Sequence, residues 1–65
     1  MTQFKKLRKE HGYSQKEIAE YLHIKQNTYS QYENEKREMS YESLIKLANL
    51  YDCTIDKLIG RNYNI

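Results

Sequence analysis

A chain of 65 residues with a single cysteine, Cys53, has to be held together by packing alone. A domain of this size buries only about 60% of the surface that its unfolded chain exposes, so many such domains add disulfides or a metal ion. One cysteine cannot form a disulfide within the chain, and a lone cysteine is typical of a reducing compartment. We therefore expect one small domain that is stabilised by its core and located in the cytoplasm.

The residues available to build this core favour helices. The sequence has no proline, valine or tryptophan and only two glycines, Gly12 and Gly60, while leucine, lysine, glutamate and tyrosine are abundant. The scarcity of β-branched residues argues against a sheet protein. No apolar run is long enough for a membrane span or a signal peptide. The net charge of +2 is too small to indicate a nucleic-acid partner by itself. Composition therefore predicts an all-α intracellular protein.

Apolar spacing divides the chain into five short helical segments and a tail. The segments are residues 3–11, about two turns after Ser14, about 26–33, 41–51 and a last turn between Thr54 and Gly60. Ser14 and Glu17 have the spacing of a capping box, and Gly12 suits a left-handed helix end. Ser40 and Thr54 stand where further N-caps are expected. We assign the domain to residues 1–60 and a C-terminal tail to residues 61–65. The side chains expected to face inward are Phe4, Leu7, His11, Ile18, Ala19, Leu22, Tyr29 and Tyr32.

The third segment carries an unusual outward face. Its members are all uncharged hydrogen-bonding residues, whereas a solvated helix face normally favours Glu and Lys; they are Gln26, Asn27, Ser30 and Gln31. A turn of three or four residues joins this segment to the second, which is the arrangement of a helix-turn-helix unit. Ala19 is small where the two helices would cross, and Ile24 can fill the gap between them from within the turn. The pattern indicates a helix-turn-helix.

Several short motifs follow one another in a characteristic order and spacing. They are Leu7-Arg8-Lys9, Ser14-Gln15-x-x-Ile18-Ala19-x-x-Leu22, Asn27-Thr28-Tyr29-Ser30-x-Tyr32-Glu33-Asn34, Lys36-Arg37, Leu47-Ala48 and Thr54-Ile55-Asp56-x-Leu58. Together, over residues 4–60, they resemble the helix-turn-helix domain of the phage repressor and Cro superfamily, the XRE family. The resemblance implies a compact five-helix lambda-repressor-like fold, with the helix-turn-helix at helices 2 and 3.

The resemblance also implies DNA-binding roles for individual residues. In the family, the second helix of the motif lies in the major groove, which places base contacts at Gln26, Asn27 and Gln31, with Lys25 at the edge of the groove. Asn and Gln can form paired hydrogen bonds with adenine N6 and N7. Gln15 matches a residue that contacts phosphate at the start of the first motif helix and braces the residue matching Gln26. The other implied phosphate contacts are Ser30, Asn34, Lys36 and Arg37.

Three residues depart from the family pattern. His23 stands where glycine is frequent in the turn, and Met39 stands where proline is common. Glu35 occupies the position of the glycine in the usual Glu-Asn-Gly sequence. If His23 or Glu35 has to adopt positive φ, the cost is roughly 1 kcal/mol for each residue. Glu35 also brings negative charge close to the implied phosphate contacts, which would weaken DNA binding.

These features predict a bacterial or phage transcriptional regulator that acts as a repressor and binds double-stranded DNA by sequence. One recognition helix contacts only about four to six base pairs, so we expect a homodimer on an inverted repeat. The predicted dimer surface consists of Ile55, Leu58, Ile59 and Ile65. We expect no effector domain beyond Gly60. The alternative function is an antitoxin-like or other protein-interaction module that binds a partner protein. A third possibility is a domain whose DNA affinity is degraded by Glu35.

Other residue groups are expected to have ordinary structural roles. We place the basic cluster of the first segment on a solvated face, where it adds only long-range attraction to DNA; it consists of Lys5, Lys6, Arg8 and Lys9. Tyr29, Tyr32 and Tyr51 fall on core positions. Cys53 matches a family position that is usually a buried aliphatic residue, so the resemblance implies that it acts as a small hydrophobe. Because His11, His23 and Cys53 lack metal-ligand spacing, we expect no metal, no cofactor and no enzymatic activity.

Overall fold

The computed structural model describes residues 1–60, and the predicted tail, residues 61–65, lies outside the described residues. The helices, in chain order, are α1 Phe4–Glu10, α2 Gln15–Leu22, α3 Gln26–Glu33, α4 Tyr41–Tyr51 and α5 Ile55–Ile59. The described residues contain no strand. The predicted all-α, five-helix architecture is therefore confirmed, with helix ends close to those expected from the apolar spacing.

Short polar side chains start three of the helices as predicted. Ser14 Oγ accepts a hydrogen bond from the Glu17 amide at 3.0 Å, and the Glu17 carboxylate accepts one from the Ser14 amide at 2.9 Å. Ser40 Oγ accepts from the amide of Ser43 at 3.2 Å, and Thr54 Oγ1 accepts from that of Lys57 at 3.1 Å. Each cap satisfies an amide that the helix itself leaves unpaired.

Each helix is followed by a residue in the left-handed conformation, which turns the chain sharply. Glycine fills this position after α1 and α5, where φ is 76° at Gly12 and 75° at Gly60. His23, Glu35 and Asp52 fill it after the other helices, with φ values of 59°, 57° and 52°. The positive φ expected for His23 and Glu35 is thus observed, and Asp52 adds a third instance that the sequence pattern did not indicate.

Gly60 is also required by a close approach of two backbone segments. A Cβ atom at this position would lie 1.8 Å from the carbonyl oxygen of Met1. Next to it, the Gln3 amide donates to the Leu58 carbonyl at 2.7 Å. The segment that precedes α1 is therefore fastened to α5, and any side chain at position 60 would push it away.

The core lies where α1 contacts α3 and α5, where α2 packs on α3, and where α4 packs on α5. Its buried hydrophobic side chains are Phe4, Leu7, Ile18, Ala19, Leu22, Tyr29, Tyr32, Leu47, Ala48, Tyr51 and Leu58. The expected inward positions are confirmed except for His11, which is exposed although its ring centroid lies 4.7 Å from that of Tyr51.

The structure corrects one residue of the predicted dimer surface. Leu58 is fully buried, because α5 packs its inner face on α4, and it has no surface left for a second copy of the chain. Ile55 and Ile59 remain partly exposed. Ile65 lies outside the described residues.

Candidate nucleic-acid interface

Helices α2 and α3 form the predicted helix-turn-helix, and the turn is fixed by backbone and packing together. The Ile24 amide donates to the Ala19 carbonyl at 2.9 Å, while His23 supplies the left-handed residue. Ala19 is only 2% exposed, and Ile24 packs against the core from within the turn. The small residue at the crossing and the apolar residue in the turn thus have the positions that the sequence predicted.

The outward face of α3 is available for contacts. Tyr29 and Tyr32 are buried and anchor the helix, so the opposite side faces away from the core. The predicted base-contacting residues lie on that side or at its start: Lys25, Gln26 and Asn27 are exposed, and Gln31 is half-buried. Among residues 1–60, none of these four side chains makes a hydrogen bond within the protein. Their donors and acceptors are therefore free to bind a partner.

The predicted phosphate contacts gather at the C-terminal end of α3. Asn34, Lys36 and Arg37 are all exposed, and Ser30 is half-buried one turn earlier. The Asn34 side-chain amide donates to Ser30 Oγ at 3.4 Å. The Lys36 amide donates to the Gln31 carbonyl at 2.9 Å, which holds the start of the loop against the helix. Two cations and two hydrogen-bonding side chains therefore lie in the last turn of α3 or directly after it.

Gln15, the remaining predicted phosphate contact, is the first residue of α2 and is half-buried. Its Nε2 donates to Oε1 of Glu33 at 3.0 Å. No hydrogen bond between Gln15 and Gln26 is observed within the described part of the chain. The brace that the family resemblance implied for Gln26 is therefore replaced here by a contact with the last residue of α3.

Glu33 is the centre of a buried polar cluster. Arg8 Nε donates to Glu33 Oε2 at 2.6 Å and Arg8 Nη2 to Oε1 at 3.3 Å, while the Tyr29 hydroxyl donates to Oε2 at 2.7 Å. The side chains of Arg8 and Glu33 are 10% and 2% exposed. Arg8 Nη1 also donates to the carbonyl of Tyr13 at 2.9 Å. We call Arg8, Gln15, Tyr29 and Glu33 the Glu33 cluster.

The Glu33 cluster overturns the expectation for Arg8. This residue was placed on a solvated face with its basic neighbours, but it is buried and paired with a carboxylate 25 positions away. A signal was present in the sequence, because Phe4, Leu7, Arg8 and His11 together have the spacing of one helical face. Arg8 thus occupies a core position of α1, and its partner could not be identified from local spacing.

Hydrogen bonding keeps the central carboxylate ionised. Burial alone would raise the pKa of Glu33, but the hydrogen bonds from Arg8, Gln15 and Tyr29 outweigh it and hold that pKa below its usual value. The hydrogen bond to Glu33 raises the pKa of Arg8. Burial, followed by the hydrogen bond to Glu33, raises the pKa of the Tyr29 hydroxyl. The cluster therefore contains one guanidinium and one carboxylate, whose charges cancel.

This cancellation leaves the α3 face without net charge. Glu33 is the only charged residue of α3, and Arg8 neutralises it. The nearest free cations are Lys25 before the helix and Lys36 and Arg37 after it. This surface is polar and uncharged, and positive charge lies at both of its ends. It suits a ligand whose hydrogen-bonding groups are flanked by two rows of negatively charged groups.

Three further features of residues 1–60 concern a reactive thiol, a metal site and a membrane span. Cys53 is half-buried beside the core, and burial raises the pKa of its thiol, so it is a poor nucleophile. Residues 1–60 contain no group of three or more His, Cys, Asp or Glu that could hold a metal ion. In the same part of the chain, each helix is too short or too polar to span a bilayer.

Comparison with known proteins gives consistent matches. The family described as Helix-turn-helix matches residues 4–58. The HTH-type transcriptional regulator ImmR of Bacillus subtilis (strain 168) is 43% identical over 58 residues, which cover 89% of this chain and 46% of that protein. The HTH-type transcriptional regulator AnsR of the same organism is 44% identical over 55 residues, covering 85% and 47%.

A solved structure matches as well. The crystal structure of a transcriptional regulator from Listeria innocua superposes with a TM-score of 0.84 at 33% identity, covering 94% of this chain and 57% of that one. The chain spans about half the length of the curated relatives that it matches.

Proposed function

The chain belongs to the helix-turn-helix family, and from this premise we propose that it is a transcriptional regulator that binds double-stranded DNA by sequence and acts as a repressor. The observation that carries the proposal is the outward face of α3, which is uncharged, rich in hydrogen-bonding groups and flanked by free cations. Relatives named as transcriptional regulators, together with the family match over residues 4–58, support it.

In this proposal α3 enters the major groove with its N-terminal end foremost. Gln26 and Asn27 lie in its first turn and contact base edges, and Gln31 contacts a base further along the groove. Side-chain amides suit this role because they offer a donor and an acceptor to adenine at once. Lys25, the N-cap residue, lies at the edge of the groove, within reach of the backbone.

Phosphate contacts hold α3 in register on the duplex. Asn34, Lys36 and Arg37 follow the helix directly and face the strand that borders the groove, with Ser30 beside Asn34. Gln15 contacts the opposite strand from the N-terminus of α2. Such contacts add affinity for any sequence and fix orientation, whereas the α3 face supplies the preference.

A homodimer on an inverted repeat would give the selectivity that one α3 helix lacks. A groove of about 550 Å³ next to the phosphate-contacting loop supports this proposal. Met39, Leu44 and Ile59, all half-buried, contribute its accessible apolar lining, and the loop residues along it carry both signs of charge. In a two-fold contact each patch meets its own copy, so a loop that carries both signs of charge can pair with itself across the axis. Sedimentation equilibrium tests it: Ile59→Lys should dissociate the dimer, and an unaltered chain that stays monomeric at high concentration excludes it.

Selection from random duplex DNA, at roughly 0.15 M salt, tests the proposed function. We expect enrichment of an inverted repeat with half-sites about one helical turn apart. Gln26→Ala should then weaken binding to the selected duplex by roughly 1–3 kcal/mol and relax the preference at one base position. A folded chain that enriches no sequence would overturn the proposal.

The antitoxin-like interpretation is not favoured, because the relatives described above are named as transcriptional regulators. Family membership also supports the expectation that the chain has no enzymatic activity. A regulator of this kind acts where the DNA is, so we place it in the cytoplasm of a bacterium.

A further inference from the structure

The carboxylate of Glu33 joins all the helices that would determine how α3 approaches DNA. It is part of α3, it accepts from Arg8 of α1, and it accepts from Gln15 at the start of α2. The last of these contacts, at 3.0 Å, spans the helix-turn-helix from the first residue of α2 to the last residue of α3. The relative position of the two motif helices is therefore set at this point by a polar contact as well as by packing at Ala19.

Stability alone does not explain a buried ion pair at this position. Removing two charges from water is costly, and well-packed apolar side chains of similar size often serve stability as well or better. The pair is nevertheless almost fully buried, with the Glu33 side chain 2% exposed. What the ion pair supplies, and an apolar pair would not, is a fixed acceptor for the Gln15 amide.

A fixed acceptor determines how Gln15 faces the DNA. A free glutamine side chain has several rotatable bonds, so ordering it on binding would cost conformational entropy. With Nε2 committed to Glu33, the amide plane is set before DNA arrives. The carbonyl oxygen and the second N–H of that amide remain for a phosphate, a base edge or Gln26.

We propose that Glu33 is a positioning residue for DNA binding, which orients the Gln15 amide relative to the base-contacting face of α3. Arg8 supports it by holding the carboxylate in place from α1. This inference rests on the proposed DNA-binding function. In this inference Arg8 and Glu33 increase DNA affinity without contacting DNA themselves, because they act through Gln15.

The test is a cycle of variants measured on the selected duplex. Arg8→Met with Glu33→Met removes both charges together and leaves the net charge unchanged, and apolar replacement is expected to preserve folding. Gln15→Ala should weaken binding about 3- to 10-fold, the size of one lost hydrogen-bonding contact. The Arg8→Met/Glu33→Met pair should weaken binding by a similar factor, and all three changes together by no more than Gln15→Ala alone.

A purely structural role gives different results. It would lower the melting temperature without changing the dissociation constant measured well below that temperature, or its effect would multiply with that of Gln15→Ala; either result overturns the proposal. The matched control is Lys9→Met with Glu10→Met, an exposed pair on α1 that also preserves net charge. It should bind within twofold of the unaltered chain, and an equal loss in this control would also overturn the proposal.

Glu33→Gln replaces the double variant if the latter unfolds at the assay temperature. It leaves one acceptor oxygen for which Arg8, Tyr29 and Gln15 compete. The same cycle with Gln15→Ala then shows whether the effects of the two changes on binding multiply. Failure of the unaltered chain to bind any duplex removes the proposed function and this inference together. Binding by the unaltered chain with multiplying effects removes this inference alone.

Discussion

Three helix ends use a side chain where glycine would fit without strain. His23, Glu35 and Asp52 have φ values of 59°, 57° and 52°, at which their Cβ atoms crowd the following carbonyl. Each costs roughly 1 kcal/mol, which is a large fraction of the stability of a domain this small. Among these residues Glu35 matters most for function, because it is exposed between Asn34 and Lys36.

Replacing Glu35 separates strain from charge. We expect Glu35→Gly to raise the free energy of unfolding by about 1 kcal/mol, since it removes the steric conflict at positive φ. Glu35→Gln keeps that conflict and should leave stability unchanged within about 0.5 kcal/mol. Both variants remove a negative charge beside the residues that we propose to contact phosphates, so both should raise DNA affinity by a similar factor. Denaturant unfolding and titration with the selected duplex measure the two effects, and equal stability of the two variants would contradict the strain argument.

The lowered pKa of Glu33 predicts acid sensitivity. In the folded chain the pKa of Glu33 is held below its usual value near 4.5. As the solution becomes acidic, the unfolded chain therefore binds more protons than the folded chain. The stabilisation is therefore fully present above about pH 4.5, and it is lost as the pH falls through the folded pKa. Unfolding in denaturant at pH 7 and at pH 3 should show this loss, and Glu33→Gln should show less of it. An identical loss in both chains would assign the acid sensitivity to other carboxylates.

At the scale of helices, the crossing of α2 and α3 depends on a small residue. Ala19 is 2% exposed, and its carbonyl accepts from the Ile24 amide, so additional atoms there have no free space. Ala19→Leu should lower the free energy of unfolding by about 1–3 kcal/mol through overpacking. The exposed neighbour provides the control, because Glu20→Leu should change stability by less than about 0.5 kcal/mol. A thermal melt distinguishes them, and tolerance of leucine at position 19 would mean that the helices can separate without cost.

The helices were predictable because their signals are local. Helix starts are indicated within four residues by the N-caps Ser14 (with Glu17), Ser40 and Thr54. A helix end is indicated by Gly12. The outward face of α3 followed from the burial of Tyr29 and Tyr32, which periodicity indicates. Base and phosphate roles, in contrast, came from family resemblance, since exposure alone does not distinguish a contact residue from a solvated one.

What the sequence did not reveal depends on contacts between distant positions. Arg8 and Glu33 are separated by 25 positions, and nothing in the sequence around either residue specifies the other. Leu58 was assigned to a dimer surface because its segment is apolar, but a five-residue helix with one buried face looks the same in sequence as one with a free face. Avoiding either error would have required knowing which helices pack together.

Across the whole molecule, free positive charge borders the α3 face instead of lying on it. The cation pair Lys36 and Arg37 is exposed at one end and Lys25 at the other. Lys36→Ala should weaken binding to selected and random duplexes by the same factor and reduce the slope of log affinity against log salt by about one. Titrations at several salt concentrations measure this slope. A loss confined to the selected sequence would mean that Lys36 contacts a base.

The neutral α3 face has a consequence for how a regulator of this kind can change its target. In the proposed complex, exchanging Gln26, Asn27 or Gln31 for other uncharged side chains would alter which bases are preferred but not the number of cations that contact phosphates. Such changes leave the rate of searching along the chromosome untouched. After gene duplication, a few polar substitutions would therefore be enough to give the two copies different operators. Neither copy would pass through an intermediate that no longer binds DNA.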